Sequence, residues 1–74
     1  MKVLLFGMIA EKAGASEMEI SAGSIEELRS VLNAKIQDLG SLSYSIAVDR
    51  KIIRSDIKLR GNEEIAVLPP FSGG

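Results

Sequence analysis

Cysteine, histidine and tryptophan are all missing from this 74-residue sequence. Without cysteine there is no disulfide, no thiolate nucleophile and no Cys/His zinc site. Without histidine the usual general base is gone, and with it any Ser-His-Asp triad, so the serines read as turn and cap residues. Adjacent Glu26 and Glu27 do not make a catalytic pair, because neighbouring helical side chains point about 100° apart. A conventional side-chain enzyme is therefore not expected from this chain alone. Aromatics are also scarce, with one Tyr and two Phe, and the formal net charge is −1. A nucleic-acid binder needs stacking platforms and a basic balance, and neither is present. No apolar run approaches the ~20 residues that span a bilayer, and no basic segment precedes the first apolar stretch. The expectation is a cytoplasmic protein with no nucleic-acid or membrane partner.

What is present suits one small globular domain. A chain this short buries only about 60% of its unfolded surface, so every apolar position counts. Met1 to Phe6 is apolar apart from Lys2 and reads as a central strand covered on both faces. Met8 to Ala13 makes a short helix that Gly14 stops in a left-handed cap. Glu17-Met18-Glu19-Ile20-Ser21 alternates with period two, which predicts a strand sending Met18 and Ile20 to the core and pairing antiparallel with the first. Ser24-Ile25-Glu26-Glu27 is a capping box. Behind it Ile25, Leu28, Val31, Leu32, Ile36 and Leu39 form one apolar stripe, predicting a helix from Ile25 to Leu39 that ends at Gly40. Tyr44 to Val48 reads as a strand, followed by a turn at Asp49-Arg50-Lys51 and a short strand at Ile52-Ile53. Arg54 to Leu59 is left open between an irregular crossover and one helical turn. Gly61-Asn62 marks a turn, and Glu64 to Leu68 is the last strand.

This order defines an α+β fold of two layers, a mixed sheet packed on one main helix. If the first and last strands lie side by side in parallel at the centre, the arrangement is the β-grasp (ubiquitin-like) one. The domain is then expected to occupy residues 1–68 and an extended tail residues 69–74. In that tail, Pro69 and Pro70 have no amide donor and a fixed φ, so sheet pairing stops there. Phe71 and Ser72 follow, and the sequence closes on Gly73 and Gly74. Two residues without side chains make a thin tip able to enter a channel too narrow for any Cβ.

With these residues in view, the sequence resembles the small sulfur-carrying subunits of molybdopterin synthase, a ubiquitin-like family that includes the thiamine-pathway sulfur carriers. The resemblance runs along essentially the whole chain. It rests on Lys2-Val3-Leu4-Leu5-Phe6, Glu11 to Gly14, Ile25-Glu26-Glu27-Leu28, Ile46-Ala47-Val48, Gly61 to Val67, and Pro69-Pro70-Phe71-Ser72-Gly73-Gly74. The sequence departs from the family pattern at Ala10-Glu11-Lys12, at Asp49 and at Asn62.

The resemblance implies that the reactive group is the Gly74 carboxylate. A ubiquitin-activating-like adenylating enzyme would use ATP to convert it into an acyl-adenylate, and a sulfur donor protein would turn that into a thiocarboxylate. Pro69, Pro70, Phe71, Ser72 and Gly73 would carry the end into the large subunit of molybdopterin synthase. There the sulfur would pass to cyclic pyranopterin monophosphate, in an assembly of two small and two large subunits. No metal and no bound cofactor are implied for this chain. By position, Phe6, Ile52 and Leu68 would meet the partner, with plain core packing as the alternative. The basic residues Arg50, Lys51, Arg54, Lys58 and Arg60 read as solvated surface, with a docking face for an acidic partner as the alternative. Three readings of function stand beside the molybdopterin carrier: a sulfur carrier of the thiamine type, a ubiquitin-like modifier joined to lysines through Gly74, and a passive interaction domain.

Overall fold

The computed structural model describes residues 1–70. The chain order is β1 (Lys2–Leu5), α1 (Gly7–Ala13), β2 (Glu17–Glu19), α2 (Ile25–Lys35), a 3₁₀ turn (Leu39–Ser41), β3 (Ser45–Val48), β4 (Lys51–Ile53) and β5 (Ile65–Leu68). The five strands form one mixed sheet in the order β2-β1-β5-β3-β4. β1 and β5 run parallel at its centre, in the register Val3↔Ile65, Leu4↔Ala66 and Leu5↔Val67. The other pairs are antiparallel. This is the α+β, β-grasp architecture expected from the sequence, with α2 as the main helix.

Alternation within each strand sends Val3, Leu5, Ile46, Ile65 and Val67 to one side, where they are buried with Ile25, Leu28 and Leu32 of α2 and Ile9 of α1. Burying apolar surface at about 25 cal/mol per Å² is the main term holding these two layers together. The expectation that β1 is covered on both faces is not met. Its burial alternates, with Val3 and Leu5 buried, Leu4 half-buried and Lys2 exposed. A single layer of helix covers one side only, so the apolar residues on the other side remain at the surface.

α2 is capped at Ser24 as its capping box predicts, except that the Glu27 carboxylate reaches back one residue further, to Gly23 in place of the Ser24 amide. Ser24 Oγ accepts from the Glu27 amide at 3.1 Å, and Glu27 Oε1 accepts from the Gly23 amide at 2.9 Å. The segment 54–59, left open by the sequence, forms no helix. It lies against the start of α2 instead: the Ile25 amide donates to the Ile57 carbonyl at 2.9 Å, and the Glu26 amide to Asp56 Oδ1 at 2.9 Å. Leu59 donates back to the Gly23 carbonyl at 2.9 Å. The first amides of α2 thus all find acceptors within the fold, as helix ends require.

The helix also stops earlier than its apolar stripe suggests. It ends at Lys35, with Ile36 extended (φ −111°) and Asp38 left-handed (φ 62°), and Gly40 falls inside the 3₁₀ turn. Ile36 and Leu39 are buried all the same. An apolar stripe records which side chains reach the core, and the broken path delivers the same two. Smaller shifts occur elsewhere. β2 ends at Glu19 although Ile20 is buried, β3 begins at Ser45, and β5 begins at Ile65. Lys51 belongs to β4, so the hairpin turn is Asp49-Arg50 alone.

Candidate functional site

The side of the sheet away from α2 carries the apolar residues that the core leaves out. Strand register places Leu4, Ala66, Ala47 and Ile52 in one row across β1, β5, β3 and β4. Leu68 lies two residues further along β5, opposite Ser45. Phe6 extends β1 in the same direction with extended backbone (φ −127°, ψ 155°), so the parallel register brings it alongside Leu68. Phe6 and Ile52 are each 44% exposed, and Leu68 is half-buried. The three residues singled out from the sequence for partner contact therefore share one face, Phe6 and Leu68 side by side at the end of β5 and Ile52 two strands away on β4. A contiguous apolar surface with a polar border is the usual mark of a protein-binding site. The border here is charged. Lys2 and Glu17 pair at 3.6 Å across β1 and β2, and Arg50 and Glu64 pair at 3.6 Å where β3 turns into β4.

The apolar end of this face is the end at which β5 finishes. Pro69 is half-buried and Pro70 exposed. Pro69 lies against Gly7, the residue after Phe6: a Cβ built on Gly7 would stand 3.1 Å from Pro69 Cγ. Phe71, Ser72, Gly73 and Gly74, the remainder of the expected tail, lie outside the described residues. The five basic residues from Arg50 to Arg60 are all exposed, spread over the β3–β4 turn and the crossover. The crossover itself is braced by Glu63. Its carboxylate accepts from the Arg60 amide at 2.7 Å and the Gly61 amide at 2.9 Å, and these two bonds, Arg60 first, hold it below the usual carboxylate range.

Sequence reasoning missed Leu4, Ala47 and Ala66 as members of the apolar row, and Gly7 as the neighbour of the tail. The first three were legible in principle. Once Val3 and Leu5 face the core, period two sends Leu4 and Phe6 the other way. Gly7 gave no such signal, because its contact joins residues 62 positions apart.

Fold and surface together define a class: a ubiquitin-like β-grasp protein with an open apolar sheet face beside the exit of its last strand. The profile of the ThiS family matches residues 3–74, and the chain belongs to that family. A molybdopterin synthase sulfur carrier subunit from Dictyostelium discoideum is 33% identical over 81 residues, which cover 99% of this chain and 94% of that protein. Among solved structures, SAMP1 from Haloferax volcanii superposes with a TM-score of 0.79 at 21% identity, covering 100% of this chain and 98% of that one. The solution structure of small archaeal modifier protein 1 from Methanosarcina acetivorans also gives 0.79, at 28% identity over 99% of this chain and 94% of that one. The family resemblance and the fold read from the sequence are both borne out by these matches.

Proposed function

We propose that this chain is the sulfur carrier of molybdenum cofactor synthesis, acting as the small, non-catalytic subunit of a molybdopterin synthase through its Gly74 carboxylate. The observation that carries the reading is the placement of the exit: the central strand β5 ends at the apolar edge of the open face, six residues before Gly74. Six residues drawn out straight reach about 20 Å, enough for a docked body to deliver its terminus into a neighbour's active site. The name of the Dictyostelium relative supports the same role.

The chemistry follows from the carboxylate. A carboxylate is a poor electrophile until one of its oxygens leaves easily. Its oxygen attacks the α-phosphorus of ATP on an adenylating enzyme, pyrophosphate departs, and an acyl-adenylate forms. Hydrosulfide released by a donor protein adds to the carbonyl carbon, AMP leaves, and Gly74 carries a thiocarboxylate. In the large subunit the sulfur passes to cyclic pyranopterin monophosphate, and water restores the carboxylate. This chain contributes the thin end and the docking face formed by Phe6, Ile52 and Leu68, and the partners supply ATP, acid–base groups and donor. The whole sequence of steps belongs to the cytoplasm. Deleting Gly73 and Gly74 is expected to abolish molybdopterin formation in a reconstituted synthase while leaving the fold intact, and normal activity of the truncated chain would refute the reading.

A second reading is kept because the Methanosarcina structure of matching fold is named a modifier protein. In it Gly74 is joined to lysines of target proteins. Mass spectrometry of material from the native cell separates the two. A free chain heavier by the exchange of one oxygen for sulfur supports the carrier, and branched Gly-Gly peptides on lysines support the modifier.

A further inference from the structure

We propose that Gly7 is a positioning residue for the tail: its bare backbone is the seat on which Pro69 rests, and this contact sets the direction in which the chain leaves the sheet. The inference deepens the function proposed above and rests on it, since it concerns how the Gly74 carboxylate is aimed.

Gly7 stands where α1 begins and has φ +55°, a left-handed conformation that an L-residue rarely adopts. A Cβ at this position would meet three carbons of the Pro69 ring, Cγ at 3.1 Å, Cβ at 3.7 Å and Cδ at 3.9 Å. The Cγ contact is tighter than van der Waals separation, so a side chain there would press the ring aside by a few tenths of an ångström, while the other two are ordinary contacts. Gly14, at the other end of the same helix, makes the comparison sharp. It is left-handed too, with φ +73°, yet a Cβ there has no neighbour within 4 Å. Gly14 is required for its conformation alone, whereas Gly7 is required for both conformation and contact.

The neighbours explain why this contact governs direction. β1 and β5 run parallel, with Leu5 opposite Val67, so both strands finish together and the residues just beyond them meet. Pro69 has a fixed φ and also restricts Leu68 before it to extended backbone. With those rotations removed, the heading of the chain past β5 depends on where the Pro69 ring lies, and Gly7 is what it lies against. Phe6, one residue earlier, belongs to the apolar face. Docking and aiming are thus adjacent in sequence but act through different atoms.

The test uses the full-length chain and ATP–pyrophosphate exchange by the adenylating enzyme of the same organism, followed against carrier concentration. Gly7→Ala and Gly14→Ala each place alanine at positive φ and are expected to lower the melting temperature, Gly7→Ala by at least as much because of its contact with the Pro69 ring. Gly7→Ala is expected to lower kcat several-fold with KM little changed, since pressing the ring aside by a few tenths of an ångström tilts the chain beyond it, and misplacement at a reacting centre slows the chemistry. Gly14→Ala leaves both constants near wild type. In a Pro69→Ala background the Gly7→Ala effect on kcat disappears, because the ring it would push is gone. Gly7→Asn, which tolerates left-handed backbone and carries the same Cβ, reproduces the alanine kinetics should alanine impair folding. Equal kinetics for the Gly7 and Gly14 variants, an effect on KM alone, or an equal loss with and without the Pro69 ring would overturn the inference. Exchange that persists after deletion of Gly74 overturns the proposed function, whereas exchange that needs Gly74 but ignores Gly7 overturns only this inference.

Discussion

Ile52 and Ile53 are neighbours of identical composition, and the pleat gives them opposite tasks. Ile53 packs against the core cluster, while Ile52 stands on the open face at 44% exposure. Ile52→Ala is expected to change folding stability by no more than about 1 kcal/mol, the span of strand preference at a surface site. On the proposed function, the same change weakens binding to the large synthase subunit about tenfold, or 1.4 kcal/mol, as titration calorimetry would read it. Loss of folding in that variant would return Ile52 to the core-packing alternative. Glu63 offers a second check at this scale. The Arg60 amide, and after it the Gly61 amide, lowers its pKa in the folded chain, so the folded state binds its proton less readily than the unfolded state. The stabilisation is present above the unfolded-state value and is lost as pH falls through the folded-state value. Glu63→Gln removes the titration. Urea unfolding from neutral to acid pH is therefore expected to show a wild-type advantage at neutral pH that vanishes below the carboxylate range.

The β3–β4 hairpin shows what an element demands of residues that do not suit it. Its two-residue turn is Asp49-Arg50, and both have positive φ, 50° and 71°. This is the geometry of a type I′ turn, in which glycine is favoured at the second position. Asp49 earns its place, since its Oδ1 accepts from the Glu64 amide at 3.0 Å and ties the turn to the start of β5. Arg50 contributes an exposed pair with Glu64 at 3.6 Å, of a kind worth little. Arg50→Gly is expected to raise stability by up to about 1 kcal/mol, the left-handed penalty less the extra chain entropy of glycine, measured as a rise in urea midpoint. Most elements were legible in the sequence, and each failure has a local cause. The end of α2 was hidden because Ile36 and Leu39 reach the core by either path. The role of Lys51 was hidden because Asp49-Arg50-Lys51 marks a turn but holds no glycine to show that it closes in two residues. For the candidate site, period two marks Phe6 and Leu68 as open-face residues. The Gly7–Pro69 contact is written in no local pattern, because it exists only after the first and last strands have met.

On the scale of the whole molecule, β5 is the hinge of the architecture, because it alone joins the β2–β1 half of the sheet to the β3–β4 half. Val67, fully buried, is part of that join. Ending the chain after Pro70 is expected to leave the thermal midpoint close to that of the full chain, while ending it after Ala66 removes a core side chain and two ladder positions and leaves no cooperative transition in calorimetry. Pairing residues 3–5 with residues 65–67 also makes the long-range contacts expensive to form, which slows folding relative to a helical chain of equal length. Protein synthesis feels this directly. A nascent chain emerging from the ribosome holds two unjoined hairpin-sized pieces until residues 65–68 are free to pair, so the body matures only after β5 has emerged. A stop before β5 is made leaves the two halves unjoined, a product that housekeeping proteases can recognise.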